Sequence, residues 1–303
     1  MSTQAPIARF TRLRHATFTS PDPERLLDYY RSVIGLGLVG REGSRLFLAS
    51  ESEQLSLVIE HGDAALSSIA FEISPDVEIE ALGAALKQAD LRPELRSDSL
   101  PGIPRLLTFT DPEGTRFELI QGWTPTPTPA QERIGGITVA KLGHVALRTP
   151  DPKAASEFHA KVTGLRVSDW IEDRFVFMRS GFEHHTLNFA RAPVRSLHHL
   201  AFELRGPDHM HRACDHLARH KLPVLWGPVR HGPGHNTAIY HRNPDGHLVE
   251  LFCDLDRMVD EELGYFEPRP WHRDRPQRPK VWVGLPRDVW GMPPSPECTE
   301  FAR

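Results

Sequence analysis

Two histidines and a glutamate, each on a strand-like run, stand out from the rest of the chain. His144 lies in KLGHVALRT, His199 in LHHLAFEL and Glu250 in GHLVELF. Two neutral imidazoles and one carboxylate can hold a divalent metal on one face and leave the opposite positions open. That is the donor set of the facial triad that holds non-haem Fe(II), and open positions are what a substrate and O2 require. His144, His199 and Glu250 are therefore the candidate metal ligands. A lone strand histidine is more often a packed, hydrogen-bonded residue, so the three carry weight only together.

Side chains alternate between the faces of a strand, so His198 and His199 should point opposite ways, and at most one should face a metal. Alternation puts His199, Ala201 and Glu203 on one face. A rival cluster, His209, His211, His216 and His220, falls on a predicted helix over 207–220. His216 and His220 have a zinc-compatible i, i+4 spacing, but HLARH lacks the glutamate of HExxH, and a solvated helix face is the simpler reading.

The elements that must position these residues come from an internal duplication. RLRHATFTSPDPERLLDYYRSVIGLGL is repeated as KLGHVALRTPDPKAASEFHAKVTGLRV. Asp22 and Asp151 are natural N-caps, each followed by proline at the first helical position. LSSIAFEI (66–73) pairs with LHHLAFEL (197–204), and each precedes a predicted helix, over 76–90 and 207–220. LLTFTDPEGTRFELIQGW (106–123) pairs with TAIYHRNPDGHLVELFCD (237–254), where DPEG and NPDG are hairpin turns. Each half thus reads β-α-β-β-β twice, giving four modules in an α+β chain. His15 matches His144, Ser68 matches His199 and Glu118 matches Glu250. A hydroxyl is a poor substitute for imidazole, so the metal is expected only in the second half, with His15 and Glu118 as satisfied structural groups.

The domains implied are a non-metal domain over 1–123, a Pro/Thr linker over 124–139, a metal-binding domain over 140–258 and a tail over 259–303. The tail is rich in Pro, Trp and Arg and has little periodicity. It is expected to pack irregularly on the surface, with Trp271, Trp282 or Trp290 contributing to a site rim. A net charge of −4, with 25% charged and 39% hydrophobic residues, describes a globular chain without a nucleic-acid or membrane surface. The N-terminus lacks an apolar signal core and no run is long enough to span a bilayer. Three well-separated cysteines suggest no disulfide framework, which fits a cytoplasmic protein.

With these motifs in hand, the chain resembles the type I extradiol ring-cleavage dioxygenases of the vicinal oxygen chelate superfamily. These are the catechol 2,3-dioxygenase and homoprotocatechuate 2,3-dioxygenase group. The resemblance covers roughly residues 10–258 and is sharpest over 140–254. It implies two duplicated glyoxalase-like domains, each an open β-barrel flanked by helices. It implies His144, His199 and Glu250 as ligands of Fe(II), with Mn(II) as an alternative. It also implies an acid/base histidine fourteen residues before the second ligand, and His185 in EHHTLNF stands there. A histidine of an RHG motif nineteen residues before the glutamate is His231, and a tyrosine ten before it is Tyr240. Phe177 and Trp226 are candidate pocket walls, and Asn236 a further substrate contact. Trp226 departs from the homoprotocatechuate enzymes, which carry an arginine there that pairs with a substrate carboxylate; an indole favours an apolar substituent instead.

The activity so implied is cleavage of a catechol-type ring by O2 next to the diol, in a chain that forms a homo-oligomer. Two other functions remain open. One is a glyoxalase-like metal-dependent isomerase, epimerase or transferase, which would lack the His185, His231 and Tyr240 set. The other is a non-enzymatic module that sequesters a ligand, which would lack the triad. Fold alone decides none of this.

Overall fold

The computed structural model describes residues 5–97, 100–121, 133–267, 278–284, 289–291 and 293–299. Four βαβββ modules follow one another. The first runs β1 (Phe10–Ser20), α1 (Pro23–Tyr29), β2 (Gly37–Glu42), β3 (Arg45–Ala49) and β4 (Leu57–His61). The second runs β5 (Ala65–Ile73), α2 (Ile79–Gln88), β6 (Glu94–Arg96), β7 (Leu106–Thr110) and β8 (Arg116–Gln121). The third comprises β9 (Lys141–Thr149), α3 (Pro152–Thr163), β10 (Arg166–Ile171), β11 (Phe175–Arg179) and β12 (Leu187–Arg191). The fourth comprises β13 (Ser196–Glu203), α4 (Pro207–Arg219), β14 (Trp226–Arg230), β15 (Thr237–Arg242) and β16 (Leu248–Cys253).

The caps form as the repeat predicts. The Asp22 carboxylate accepts from Arg25 N, and that of Asp151 from Lys153 N and Ala154 N. These bonds satisfy backbone donors that the first helical turn otherwise leaves unpaired. DPEG and NPDG turn β7 into β8 and β15 into β16.

Each half forms one sheet of the same order. The first is β2-β3-β4-β1-β5-β8-β7-β6, eight strands. The second is β14-β15-β16-β13-β9-β12-β11-β10, extended by a ninth strand, β19 (Lys280–Trp282), on the β10 edge. The two modules of a half meet through antiparallel central strands, β1 with β5 and β9 with β13.

The halves share a core. Buried side chains of both, among them Phe71, Phe117, Phe189 and Phe202, belong to one apolar cluster. Polar bonds cross the same boundary: Tyr29 Oη lies 2.6 Å from His241 Nε2, and His159 Nε2 lies 3.3 Å from Asp111 Oδ2. Of the four helical histidines, His211 and His220 are exposed as expected, whereas His209 and His216 belong to this boundary. His209 is buried with Nε2 2.7 Å from the Ile137 carbonyl, and His216 Nε2 is 3.0 Å from that of Ser32.

Two expectations about the connecting segments change. Residues 124–132 of the linker lie outside the described residues. Ile137 and Val139, however, are buried, and Ile137 N and Thr138 N donate to Val33 O and Ile34 O. Gly35 permits this contact. Its φ is +86°, and a Cβ there would lie 2.4 Å from Thr138 N. The tail is also less irregular than its composition suggests. Besides β19 it forms β17 (Met258–Asp260), β18 (Tyr265–Phe266) and a short helix, α5 (Pro296–Thr299). Trp271 lies outside the described residues. Trp290 is exposed, and Arg230 sits over its ring.

Candidate metal centre

Strand register explains why residues so far apart in sequence meet. Ala201 of β13 pairs with His144 of β9 on one side and Glu250 of β16 on the other. Glu250 pairs with Tyr240 of β15, and Tyr240 with Trp226 of β14. Trp226, Tyr240, Glu250, Ala201 and His144 therefore form one row across five strands, and paired residues share a face. His199 joins from two positions earlier on β13, on that face.

The three donors converge. His144 Nε2 is 3.1 Å from His199 Nε2 and 3.2 Å from Glu250 Oε2, and His199 Nε2 is 3.1 Å from the same oxygen. All three side chains are buried. Among the described residues they are the one group of three or more such side chains that could hold a metal ion. Donors bonded at about 2.1 Å to one ion lie about 3.0 Å apart on an octahedral face and about 3.4 Å apart in a tetrahedron. The observed spacing lies nearer the facial arrangement, which keeps the opposite positions open.

Electrostatics suits a cation. Burial lowers His144 below the ordinary imidazole range, so its ring is neutral and Nε2 has a lone pair to offer. Burial alone would raise the Glu250 carboxyl, but His144 and His199 together bring it well below the usual carboxylate range. Asn236 Nδ2 donates to Glu250 Oε1 at 3.0 Å, steadying the carboxylate. Part of the Asn236 amide is thus committed to Glu250 rather than open to a substrate.

The centre opens into a cavity of about 320 Å³ that His185, His231, Tyr240, Phe177, Trp226 and Asn236 also line. His185 packs edge-on against His144, ring centroids 4.4 Å apart. Burial, and then the neighbouring His144 and His184, hold it well below the ordinary imidazole range. His231 Nε2 is 2.7 Å from Tyr240 Oη. Burial, reinforced by Glu250, raises Tyr240 well above the ordinary phenol range, so it stays protonated. Trp226 stacks on Tyr240 at 5.2 Å, and Phe177 on Phe175 at 4.6 Å. These two aromatic walls come from opposite flanks of the sheet.

Simple alternation fails at His198. The β9–β13 register shifts between Leu197 and His199, a bulge that gives both histidines the cavity side. His198 Nδ1 lies 2.7 Å from His199 Nδ1, so His198 supports the ring of its neighbour. Sequence reading also missed Pro294 and Cys298, which bring the tail to the cavity, whereas Trp282 and Trp290 do not line it. It missed Asp169 and His184 behind His185 as well; the paired histidines of EHHTLNF were the one available signal.

Residues 141–251 match the Glyoxalase/Bleomycin resistance protein/Dioxygenase superfamily. The chain is similar to that superfamily over this stretch, its third and fourth modules. It is 23% identical over 321 residues to a metapyrocatechase of Geobacillus stearothermophilus, covering 98% of this chain and 97% of that one. Its fold superposes on homoprotocatechuate 2,3-dioxygenase from Brevibacterium fuscum, solved with 3,4-dihydroxyphenylacetate, with a TM-score of 0.81 at 24% identity, covering 97% and 92% of the two chains. It superposes equally on a Mn(II)-bound glyoxalase from Novosphingobium aromaticivorans, with a TM-score of 0.82 at 24% identity, covering 98% and 96%. The duplicated vicinal oxygen chelate architecture is therefore the fold of this chain, and it houses more than one chemistry.

Proposed function

We propose that the chain is an extradiol dioxygenase that cleaves a catechol-type ring next to its diol, using Fe(II) or Mn(II). The observation that carries the reading is a buried His-His-Glu triad facing a cavity that His185, His231 and Tyr240 also line. The full-length similarity to a metapyrocatechase supports it.

His144, His199 and Glu250 would hold the ion. The metal, when bound, supplies adjacent positions for a diol and O2 and eases ionisation of a hydroxyl. The remaining steps belong to side chains. His185, a neutral imidazole, takes up a hydroxyl proton and returns it to oxygen later; such a positioned base contributes roughly 10²–10⁴-fold. Tyr240 and His231, bonded to each other, hydrogen-bond the diol oxygens and fix which is deprotonated. Phe177 and Trp226 hold the flat ring, and the Trp226 indole favours an apolar substituent. Asn236 orients Glu250. Both oxygen atoms of one O2 enter the ring-cleaved product.

The first half is scaffold in this reading, with residues 1–123 and 140–258 as the two domains. A homo-oligomer fits the exposed apolar side chains Phe182, Val259 and Leu263. The glyoxalase reading shares the fold but gives no work to His185, His231 and Tyr240. Anaerobically purified, iron-loaded protein given a panel of catechols and O2 should form a yellow product, consuming one O2 per ring. Absence of uptake across the panel overturns the proposal.

A further inference from the structure

We infer that Asp169 and His184 are positioning residues that hold His185 in one tautomer, with Nε2 as its unprotonated nitrogen. The inference rests on the dioxygenase reading for its catalytic consequence. Its structural content stands separately.

A chain of hydrogen bonds runs inward from the tail to His185. Asp169, buried on β10, accepts from Lys280 N at 2.8 Å through Oδ1 and from Trp282 Nε1 at 2.7 Å through Oδ2. Parallel pairing of β19 with β10 sets Lys280 opposite Asp169 and brings both donors there. The same Oδ2 lies 3.2 Å from His184 Nε2. A carboxylate can only accept, so His184 Nε2 carries the hydrogen. A neutral imidazole has a single N–H, so His184 Nδ1 is then an acceptor. It lies 2.9 Å from His185 Nδ1, which must therefore donate. The nitrogen of His185 left with a lone pair is Nε2, on a ring that lines the cavity.

The reverse chain has equal geometry but a different outcome. With hydrogen on His184 Nδ1, His185 Nδ1 accepts and its Nε2 becomes an N–H donor. The Asp169 carboxylate decides between a base and an acid at the same point in the cavity. The surroundings restrict rearrangement of the pair. His184 N donates to Asp256 O at 2.8 Å. Gly234, at φ +75°, packs against both rings: a Cβ there would lie 3.1 Å from His184 Nδ1 and 3.3 Å from His185 Cε1.

Side-chain nitrogen spectra of ¹⁵N-histidine-labelled protein, loaded with diamagnetic Zn(II), test this directly. The wild type should show hydrogen on Nε2 of His184 and on Nδ1 of His185. In Asp169→Asn, whose amide can donate to His184, the hydrogen should move to His185 Nε2. There kcat should fall about 100-fold, with KM and bound metal within about threefold of wild type. His184→Gln, with Asp169 in place, keeps an acceptor toward His185 and an N–H toward Asp169, and should retain most of kcat. A wild-type His185 with hydrogen on Nε2 overturns the inference without any variant. So does an Asp169→Asn protein whose His185 tautomer or kcat is unchanged. A chain that consumes no catechol but has the expected tautomers refutes the reaction and leaves this positioning intact.

Discussion

His15 and His144 stand at the same point in two copies of one fold, yet only one of them faces a second imidazole. In the first half, His15 Nε2 lies 3.2 Å from Glu118 Oε2, and Ser68 Oγ donates to Glu118 Oε1 at 2.9 Å. Each carboxylate oxygen has its own partner, and the constellation is closed. In the second half, both imidazoles converge on the single oxygen Oε2 of Glu250. Three donor atoms aimed at one point are under-satisfied by protons and well satisfied by a cation. The rows beyond differ in the same sense. Glu94, Thr108, Glu118, Ala70 and His15 form the first row, against Trp226, Tyr240, Glu250, Ala201 and His144 in the second. Phe47 and Leu55 correspond to Phe177 and His185, and they lie with Ala70 in a buried apolar cluster. One backbone plan thus serves as packed scaffold or as site, according to a few side chains on one face.

Converting the second half toward the first is the strongest way to break this comparison. His199→Ser should abolish stoichiometric metal binding and reduce turnover by more than about 10³-fold, with far-UV circular dichroism unchanged. Retained metal would mean that a hydroxyl suffices and that Ser68 does not explain the first half. His185→Leu reproduces the Leu55 position. It should keep the metal but lower kcat by roughly 10²–10⁴-fold in single-turnover measurements. A larger loss, accompanied by loss of metal, would assign His185 to the ion.

The boundary between the halves gives an effect on stability. Burial lowers His241, whose Nε2 meets Tyr29 Oη, from 6.5 to about 3. Between those pH values the unfolded chain binds a proton that the folded chain refuses. This contribution is fully present above about pH 6.5 and is lost on acidification at up to roughly 1.4 kcal/mol per pH unit. Urea midpoints from pH 7 to 4 should fall accordingly, and the slope should flatten in His241→Gln. An unchanged slope would show that His241 is not buried neutral. The smallest effect belongs to Ser68→His. The site is fully packed, so about 1–3 kcal/mol of destabilisation is expected by urea titration. Metal analysis should still give one ion per chain; a second would mean that Phe47 and Leu55 do not close the first half.

The duplication made most of the fold readable. Asp-Pro caps, DPEG and NPDG turns and the matched apolar runs are local signals, and all four modules follow from them. The triad was readable for the same reason, since aligned strands put His144, His199 and Glu250 in comparable places. What escaped depends on contacts that no local pattern encodes. Alternation predicted opposite faces for His198 and His199, and a one-residue bulge in β13 reversed that. β19 is three residues long and gains its identity only by pairing with β10. Trp282 was expected at a rim, whereas its indole is bonded to Asp169. That bond follows from β19 pairing beside Asp169, and periodicity cannot reveal it.

Anomalous diffraction from crystals grown anaerobically with Fe(II) tests the central claim most directly. The account predicts a single strong peak per chain, about 2.0–2.3 Å from His144 Nε2, His199 Nε2 and a carboxylate oxygen of Glu250. A peak beside His15 and Glu118, or none within bonding distance of the three donors, would contradict it.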